Sequence, residues 1–192
     1  NRFCKENQIS GLEPLMTIPG TIGGAAHGNA GAFGINTLEL VKKVELYDLD
    51  TKQFVTQKIH PEDYSYRKSV FQKMPNCIIW SVTFDKTRFQ KDHNLEVIKA
   101  RRDQSQPKGL TTGSFFKNPE NDFAGRLIEA CGLKGHKLGG AMISEKHANF
   151  FMNVDQASFE DIKNLAEMAE QAVDKKFGIK LEREVKFIFA NN

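Results

Sequence analysis

Glycine is concentrated in one stretch near the start of the chain, and this limits which structures can form there. Seven of the 15 glycines lie in GLEPLMTIPGTIGGAAHGNAGAFG, residues 11–34. Each glycine disfavours a regular element by about 0.5–1 kcal/mol relative to alanine, and glycine also lets backbone N–H groups approach a ligand closely. Neither a G-x-G-x-x-G motif nor a Walker A loop is present. Two interpretations therefore stay open, tight turns between packed strands and a ligand-binding loop.

Three segments after this stretch have the patterns of β-strands. VKKVELYDL (41–49) and QFVTQKI (53–59) alternate apolar and polar residues, which predicts a pair of strands around a turn at Asp50-Thr51. CIIWSVTF (77–84) is a short apolar run of the kind found in buried strands.

The character of the chain changes near residue 88, where charged, helix-favouring sequence begins and continues to a QPKG break. We therefore predict two domains, residues 1–90 and 91–192, of α+β class. In the second, we expect helices at 123–131, capped by Asp122 and ended by Gly132, and at 158–177, capped by Ser158 and ended by Gly178. Strands are expected at 148–154 and 184–190.

Composition excludes several classes of protein. The 27 basic and 24 acidic residues nearly balance, and the basic ones are scattered, which favours anionic small molecules over nucleic acid. Cys4, Cys77 and Cys131 have no metal-ligand spacing, which predicts reduced thiols in a cytoplasmic protein and no metal site. The sequence has no apolar run long enough for a membrane span and no signal peptide, so we expect no membrane association.

Three polar residues have a chemical as well as a structural interpretation. Arg67 in DYSYRKSVF is either a surface arginine packed on tyrosine or a rigid fork of donors for a planar anion. Ser114 in TTGSFFKNP has no base near it in sequence, so it is either structural or a proton donor to a strongly basic carbanion or enolate. Glu184 in LEREV is either solvated or directed into a pocket, where it would donate a hydrogen bond.

Five blocks of this sequence, in order, resemble the UDP-N-acetylenolpyruvoylglucosamine reductase (MurB) family. They are GLEPLMTIPGTIGGAAHGNAGAFG, DYSYRKSVF, GSFFKNP, AGRLIEACGLKGHKLGGAMISEKHANFFMN and FGIKLEREVKFI. Together they span nearly the whole chain, and their order makes the resemblance specific.

The resemblance implies a fold and a set of site residues. Residues 1–90 would be part of a FAD-binding domain of the vanillyl-alcohol-oxidase-like α+β kind. Residues 91–192 would be a smaller α/β substrate-binding domain whose final strand returns to the active site. The expected cofactor contacts are Gly20, Gly23, Gly24, Asn29 and Gly34, and the expected substrate contacts are Tyr66, Asn118, His147 and Lys108.

The reaction that the family implies is the FAD-dependent reduction of UDP-N-acetylglucosamine enolpyruvate to UDP-N-acetylmuramate, with NADPH as co-substrate, in peptidoglycan precursor synthesis. Arg67 and Glu184 would stabilise the charge of an enolate, and Ser114 would protonate it. We expect a monomer.

The chain departs from the family pattern in three respects. An upstream glycine-rich segment that holds part of FAD is absent, which favours a second hypothesis, a non-catalytic fragment that binds only the sugar nucleotide. The short connection from Phe84 to Gln106 indicates the branch of the family without a tyrosine-bearing loop. Ser105 stands where a lysine is frequent, and Lys108 is the expected replacement as a contact to the substrate diphosphate.

Overall fold

The computed structural model describes residues 4, 6–16, 18–89 and 94–189. Helices and strands are mixed throughout, as expected for an α+β protein. The chain divides into two compact units, residues 1–100 and 101–192. The division falls within the helix Leu95–Ser105, later in the chain than the boundary predicted from composition. None of the described helices is long and apolar enough to cross a bilayer.

The first unit contains short helices and mostly antiparallel strands. Its elements are α1 (Glu13–Met16), α2 (Ile22–His27), β1 (Gly31–Ala32), β2 (Ile35–Asn36), β3 (Val41–Asp48), β4 (Gln53–Lys58), β5 (Tyr64–Ser65), β6 (Lys68–Ser69) and β7 (Cys77–Phe84). Single turns of 3-10 helix lie at Thr37–Leu40, Pro61–Asp63, Val70–Lys73 and Lys86–Arg88.

The second unit begins within α3 (Leu95–Ser105), the helix in which the division falls. Its elements are β8 (Leu110–Ser114), α4 (Ala124–Ala130), β9 (Lys137–Leu138), β10 (Ala141–Ile143), β11 (Phe150–Asn153) and α5 (Phe159–Phe177).

The main sheet of the first unit has the strand order β4-β3-β7 and is antiparallel. The predicted pairing of the segments 41–49 and 53–59 is confirmed, with β3 and β4 in continuous register from Lys43↔Lys58 to Asp48↔Gln53. In the turn between them, the Asp48 carboxylate accepts hydrogen bonds from the N–H groups of Asp50 and Thr51, both at 2.9 Å. An aspartate that bonds its own backbone in this way closes the hairpin.

The burial predicted for the segment 77–84 is wrong on one face of the sheet. Ile78 and Trp80 in β7 are 49% and 66% exposed, whereas Ile79 between them packs into the core of the unit. On the exposed face, the ring of Phe54 lies 5.1 Å from that of Tyr47 and 5.5 Å from that of Trp80. The apolar run therefore belongs to a strand with a single buried face, because core residues cover only the other side of the sheet.

The glycine-rich stretch forms a short helix and a tight hairpin. The Thr21 hydroxyl caps α2 by accepting a hydrogen bond from the N–H of Gly24, at 3.1 Å. A Cβ at Gly23 would lie 3.7 Å from Ile79, so α2 lies close to β7. Gly34, with φ +84°, makes the turn between β1 and β2. The two interpretations of this stretch are compatible, because Gly20, Thr21 and Gly24 at the start of α2 also line a cavity described below.

The core of the second unit lies between a four-stranded antiparallel sheet, in the order β8-β11-β10-β9, and the helices α4 and α5. Its largest buried side chains are those of Phe115, Phe116, Leu127, Ile128, Ile143, Phe151, Leu165 and Val173.

The helix α5 begins and ends as predicted. The Ser158 hydroxyl accepts a hydrogen bond from the N–H of Asp161 at 3.1 Å, and the Asp161 carboxylate accepts one from the N–H of Ser158 at 2.9 Å. The same carboxylate accepts from the N–H of Gly140, at 3.2 Å, which ties the start of the helix to the sheet. Gly178, at φ +67°, ends the helix in the left-handed conformation that glycine adopts readily.

The cap predicted for the helix at 123–131 is wrong. Phe123 occupies the N-cap position, and Asn118 supplies the acceptor, through its Oδ1, for the N–H of Ala124 at 3.1 Å. The Asp122 carboxylate instead pairs with the Arg126 guanidinium, four residues later. Asn118 comes from the preceding loop, so the pattern of the helix alone does not identify it.

The strand predicted at 184–190 is also wrong where the structure describes it, up to residue 189. This segment makes one isolated bridge, Phe116↔Arg183, and both Glu184 and Val185 direct their N–H groups at the same carbonyl, that of Phe115. Ile188 is 89% exposed. The apolar alternation here does not produce a strand, because pairing with a neighbouring strand is not sustained.

The pair formed by Asp122 and Arg126 gives a pH-dependent prediction. Hydrogen bonds from Arg126, with a further one from the N–H of Phe123, lower the pKa of Asp122 to about 2. A pKa below that of the unfolded chain, about 3.9, stabilises the fold at neutral pH, and this contribution is lost as the pH falls from about 4 to about 2. NMR titration of the Asp122 carboxyl should give a midpoint near 2 in the wild type and nearer 4 in Arg126→Gln. Lys175→Gln, a change at an exposed cation on α5, should leave the midpoint in place. A wild-type midpoint near 4 contradicts the pairing.

Candidate functional site

The first unit contains a cavity of about 530 Å³ next to the glycine-rich stretch. Its lining includes Leu15, Gly20, Thr21, Gly24 and Phe84, and is mainly apolar. This volume is in the range of about 300–1,000 Å³ that is usual for small-molecule sites. The cavity therefore suits a flat apolar ring that also contacts backbone N–H groups.

The structure separates the four glycines that the resemblance assigns to the cofactor. Gly20 and Gly24 line the cavity, and Gly20, at φ +128°, has no atom within 4 Å of the position of a Cβ. Gly23 faces the sheet, and Gly34 lies at the tip of the β1–β2 hairpin. Of the four, only Gly20 and Gly24 are placed to contact a ligand in this cavity directly.

Asn29 orders the end of the glycine-rich stretch. Its side chain is 1% exposed, donates a hydrogen bond to the carbonyl of Ser65 at 2.8 Å, and accepts one from the N–H of Leu38 at 3.0 Å. Its φ of +43° lies in the left-handed region that asparagine tolerates better than most residues. In this unit, Asn29 joins the glycine-rich stretch to the β5–β6 hairpin.

Tyr66 and Arg67 form the turn of the β5–β6 hairpin. Arg67 has φ +56°, and its guanidinium lies 4.9 Å from the centre of the Tyr66 ring. It donates a hydrogen bond to the carbonyl of Gly31 at 3.3 Å, while the Ser69 hydroxyl donates to the carbonyl of His27 at 2.5 Å. The arginine is packed on its tyrosine and fixed beside the glycine-rich stretch, and its predicted contact with a planar anion stays a prediction.

The second unit contains an open cavity of about 360 Å³. Three of the predicted site residues, Ser114, Asn118 and His147, line it together. Two cations that the sequence did not single out, Arg126 and Lys146, line it as well. The lining also includes Glu129, whose carboxylate pairs with Lys134. The cavity thus combines a hydroxyl, two amides, an imidazole and two positive charges besides this ion pair, a set suited to a polar ligand with an anionic group.

A β-bulge places Ser114 at this cavity. Ser114 pairs with Phe150 and Thr111 pairs with Met152, so that β8 has one residue more than β11 between the two pairs. Gly113, at φ +80°, occupies the bulge, and its N–H donates to the Thr111 hydroxyl at 3.3 Å. Bulges of this kind redirect a side chain at the end of a strand. This explains why a glycine precedes the serine.

His147 is held in a defined tautomer. Its Nδ1 accepts a hydrogen bond from the N–H of Asn149 at 3.2 Å, which leaves the hydrogen of the neutral ring on Nε2. Burial lowers the pKa of His147 below its usual value, and a hydrogen bond to its own backbone opposes this shift. The charge of Lys134 lowers the pKa further, and that of Glu129 raises it. The ring is therefore neutral at pH 7 and can donate one hydrogen bond from Nε2.

Lys108 lies outside the cavity that Arg126 and Lys146 line. Lys108 does not line the cavity; its side chain is 79% exposed and its Nζ lies 3.6 Å from Asp103. Lys146 precedes His147 in SEKHANFF, and Arg126 lies four residues after Asp122. Lys146 could have been found from the sequence, because it is next to the predicted site residue His147. Arg126 could not, because an arginine in a helix four residues after an aspartate has the pattern of an ordinary surface ion pair.

Glu184 lies next to the strand that carries Ser114. Its N–H donates to the carbonyl of Phe115 at 2.9 Å, and one oxygen of its carboxylate is buried. The preceding residue, Arg183, donates to the Glu170 carboxylate at 2.5 and 2.8 Å, which fixes the segment to α5. Arg67 belongs to the first unit, and a common site of Arg67, Ser114 and Glu184 stays a prediction.

Among the described residues, no group of three or more histidine, cysteine, aspartate or glutamate side chains could hold a metal ion.

Comparison with known proteins identifies relatives over nearly the whole chain. Residues 105–188 match the family of UDP-N-acetylenolpyruvoylglucosamine reductase C-terminal domains. The reductase of that name from Fusobacterium nucleatum is 39% identical over 95% of this chain, and the one from Campylobacter jejuni RM1221 is 42% identical over 96%. The chain spans 65% and 67% of the lengths of these two relatives.

A solved structure agrees with these matches. The UDP-N-acetylenolpyruvylglucosamine reductase from Thermus caldophilus superimposes with a TM-score of 0.76 and 32% identity, over 95% of this chain and 66% of that protein. Sequence and structure thus agree along both units, and the chain belongs to the UDP-N-acetylenolpyruvoylglucosamine reductase family.

Proposed function

We propose that the chain takes part in the FAD-dependent reduction of UDP-N-acetylglucosamine enolpyruvate to UDP-N-acetylmuramate, with NADPH as co-substrate. The observation that carries this proposal is the cavity of the second unit, where Ser114 lies with Asn118 and His147 beside two cations. A sugar nucleotide has hydroxyls and a diphosphate, which match these donors and charges. The names of the relatives, all reductases of this enolpyruvyl sugar nucleotide, support the choice of substrate.

The residues of the first unit fit a flavin. A cavity with an apolar lining and two glycines on its wall can enclose a flat ring and bring backbone N–H groups close to it. We assign residues 1–90 to a FAD-binding domain of the vanillyl-alcohol-oxidase-like kind, with Gly20 and Gly24 as direct contacts. Gly23, Asn29 and Gly34 would maintain the shape of the site. When bound, FAD supplies the hydride that reduces the enolpyruvyl double bond.

The second unit would hold the substrate. The Nε2–H of His147 and the amide of Asn118 would orient the sugar, and Lys146 and Arg126 would bind the diphosphate, the role predicted for Lys108. Tyr66 in the first unit remains a predicted substrate contact. A fixed set of donors orients a ligand without reorganisation during the reaction.

Proton transfer is the step assigned to Ser114. After the double bond is reduced at one carbon, the neighbouring carbon holds an electron pair that is delocalised into the carboxylate as an enolate. Arg67 and Glu184 would stabilise that charge, and the Ser114 hydroxyl would give its proton to the carbon, forming the new C–H bond. The serine alkoxide then regains a proton from water, which balances the step.

A second candidate function is binding of the sugar nucleotide without catalysis. It is favoured by the completeness of the second cavity, whose lining residues all belong to residues 101–192. Such a chain would need neither a flavin nor the acid.

The two candidates differ in a property that can be seen in the purified protein. The reductase should show flavin absorbance and should oxidise NADPH only when the enolpyruvyl substrate is present. Visible absorbance spectra and a coupled NADPH assay measure both properties. Colourless protein that still binds UDP-N-acetylglucosamine enolpyruvate would favour the second candidate.

Replacing Ser114 by alanine should separate the two halves of the reaction. Flavin reduction by NADPH should continue, whereas product formation should fall at least about 10²-fold because the general acid is lost. Stopped-flow absorbance follows the first step and product analysis the second. Ser158→Ala, which removes a helix cap in the same unit, serves as the control and should leave both steps intact. Unchanged product formation in Ser114→Ala would refute the role of the serine.

Gly113→Ala tests the bulge that directs Ser114. No atom lies within 4 Å of a Cβ at Gly113, so the effect comes from its positive φ, at a cost to stability of about 1 kcal/mol. Relaxation of the bulge should also move the hydroxyl and reduce product formation by about 10²-fold. Gly178→Ala is a matched control, since Gly178 also has a positive φ and no atom within 4 Å. Urea denaturation should show similar losses of stability in both variants, and loss of product formation in Gly113→Ala alone. Equal activity in the two variants would contradict the role of the bulge.

A further inference from the structure

Asn149 lies in the wall of the cavity of the second unit, and its side chain makes an unusual set of hydrogen bonds. Its side chain is buried, with 2% of the residue exposed. The Nδ2 group donates to the carbonyl of Phe116 at 2.8 Å, and Oδ1 accepts from the N–H of Phe116 at 2.9 Å. The amide therefore satisfies both backbone groups of one residue, as a neighbouring strand would.

These two hydrogen bonds extend the pairing of β8 with β11 beyond its last regular pair. That pair is Ser114↔Phe150, and the carbonyl of Asn149 then accepts from the N–H of Phe115 at 2.7 Å. With the two bonds to Phe116, three consecutive residues from Ser114 onward are fixed to β11 and the residue before it. Ser114 is thus held from its C-terminal side, while the bulge sets its position from the N-terminal side.

The backbone of Asn149 also fixes the other side of the site. Its N–H donates to Nδ1 of His147 at 3.2 Å, and this bond sets the orientation of the ring. The helix α4 leaves little room for the ring to move, since a Cβ at Gly125 would lie 2.9 Å from its Cε1 and 3.6 Å from the Cβ of Asn149.

We propose that Asn149 is a positioning residue that fixes Ser114, through Phe115 and Phe116, and the His147 ring, through its own N–H, in the lining of one cavity. In this role it acts through its neighbours, although it also lines the cavity. Its significance for catalysis rests on the proposed function, because Ser114 and His147 are catalytic and binding groups only if the cavity takes the enolpyruvyl substrate.

The test compares Asn149→Ala with Asn153→Ala. Both asparagines are close in sequence, and Asn153 in β11 also bonds a backbone group, since its Oδ1 accepts from the N–H of Ala157 at 2.9 Å. Asn153 does not line the cavity. The two variants therefore share the chemical change and differ in the contact that is lost.

Amide hydrogen exchange measured by NMR is the first measurement. In Asn149→Ala, exchange at Phe116, whose N–H loses its acceptor, should accelerate about tenfold more than exchange at Val173 in the core of α5, the factor expected from the loss of one buried hydrogen bond. Exchange at Phe115 should accelerate with it, because the backbone of residue 149 that Phe115 bonds is no longer held by the side chain. In Asn153→Ala, the exchange rates of the Phe115 and Phe116 amides should change by the same factor as that of Val173.

The titration of His147 is the second measurement. Asn149→Ala keeps the N–H that bonds the ring but frees the backbone that carries it, because both side-chain bonds to Phe116 are lost. The pKa of His147 should therefore rise toward 6.5 in Asn149→Ala and should stay in place in Asn153→Ala. The charged groups near the ring, Lys134, Glu129, Lys146 and Arg126, are the same in both variants.

Equal acceleration of Phe116 and Val173, with an unchanged His147 titration, would show that Asn149 contributes only to global stability and would overturn the proposal. If Asn149→Ala does not fold, Asn149→Asp keeps an acceptor for the N–H of Phe116 and loses the donor to its carbonyl. Exchange at Phe115 relative to Val173 then decides by the same criterion. Neither measurement needs substrate or cofactor, so failure here leaves the proposed function standing, and failure of the NADPH assay leaves this test valid.

Discussion

The antiparallel pairing of β8 with β11 is the interaction on which the candidate site of the second unit depends. It brings Ser114 and His147, which are separated by more than thirty residues of sequence, to the same cavity. Two features fix the end of this pairing, Gly113 in the bulge before the serine and the buried side chain of Asn149, which bonds the chain after it. Both restrict the backbone rather than the hydroxyl itself. The acid role proposed for Ser114 requires a hydroxyl in a fixed position, and the pairing fixes the backbone that carries it.

Elements whose signals are local were predictable from the sequence. The β3–β4 hairpin follows from alternation around an aspartate turn, and α5 follows from its cap at Ser158 and its stop at Gly178. The failures concern signals that depend on distant partners. The exposed face of β7 is set by what covers the sheet, and the cap of α4 comes from Asn118 in a loop. Apolar alternation likewise cannot reveal whether the last segment of the chain finds a strand to pair with.

The candidate site was predictable to the extent that the resemblance located its residues. Ser114, Asn118 and His147 were assigned separately, and the structure gathers them in one cavity. The contact to the substrate diphosphate was assigned to Lys108, whereas the cations that line the cavity are Arg126 and Lys146. A side chain on a helix or in a turn reaches a site through tertiary packing, which sequence spacing does not encode. Asn149 escaped notice for the same reason, since its partners lie 33 residues earlier in the chain.

The open aromatic face of the first sheet has an optical consequence. Trp80, the single tryptophan, lies on that face, and the three tyrosines, Tyr47, Tyr64 and Tyr66, also belong to the first unit. Residues 101–192 contain neither type of chromophore. The absorbance and fluorescence of tryptophan and tyrosine therefore report on the first unit alone. A spectroscopic melting curve can appear complete while the half of the molecule that carries Ser114 remains unobserved.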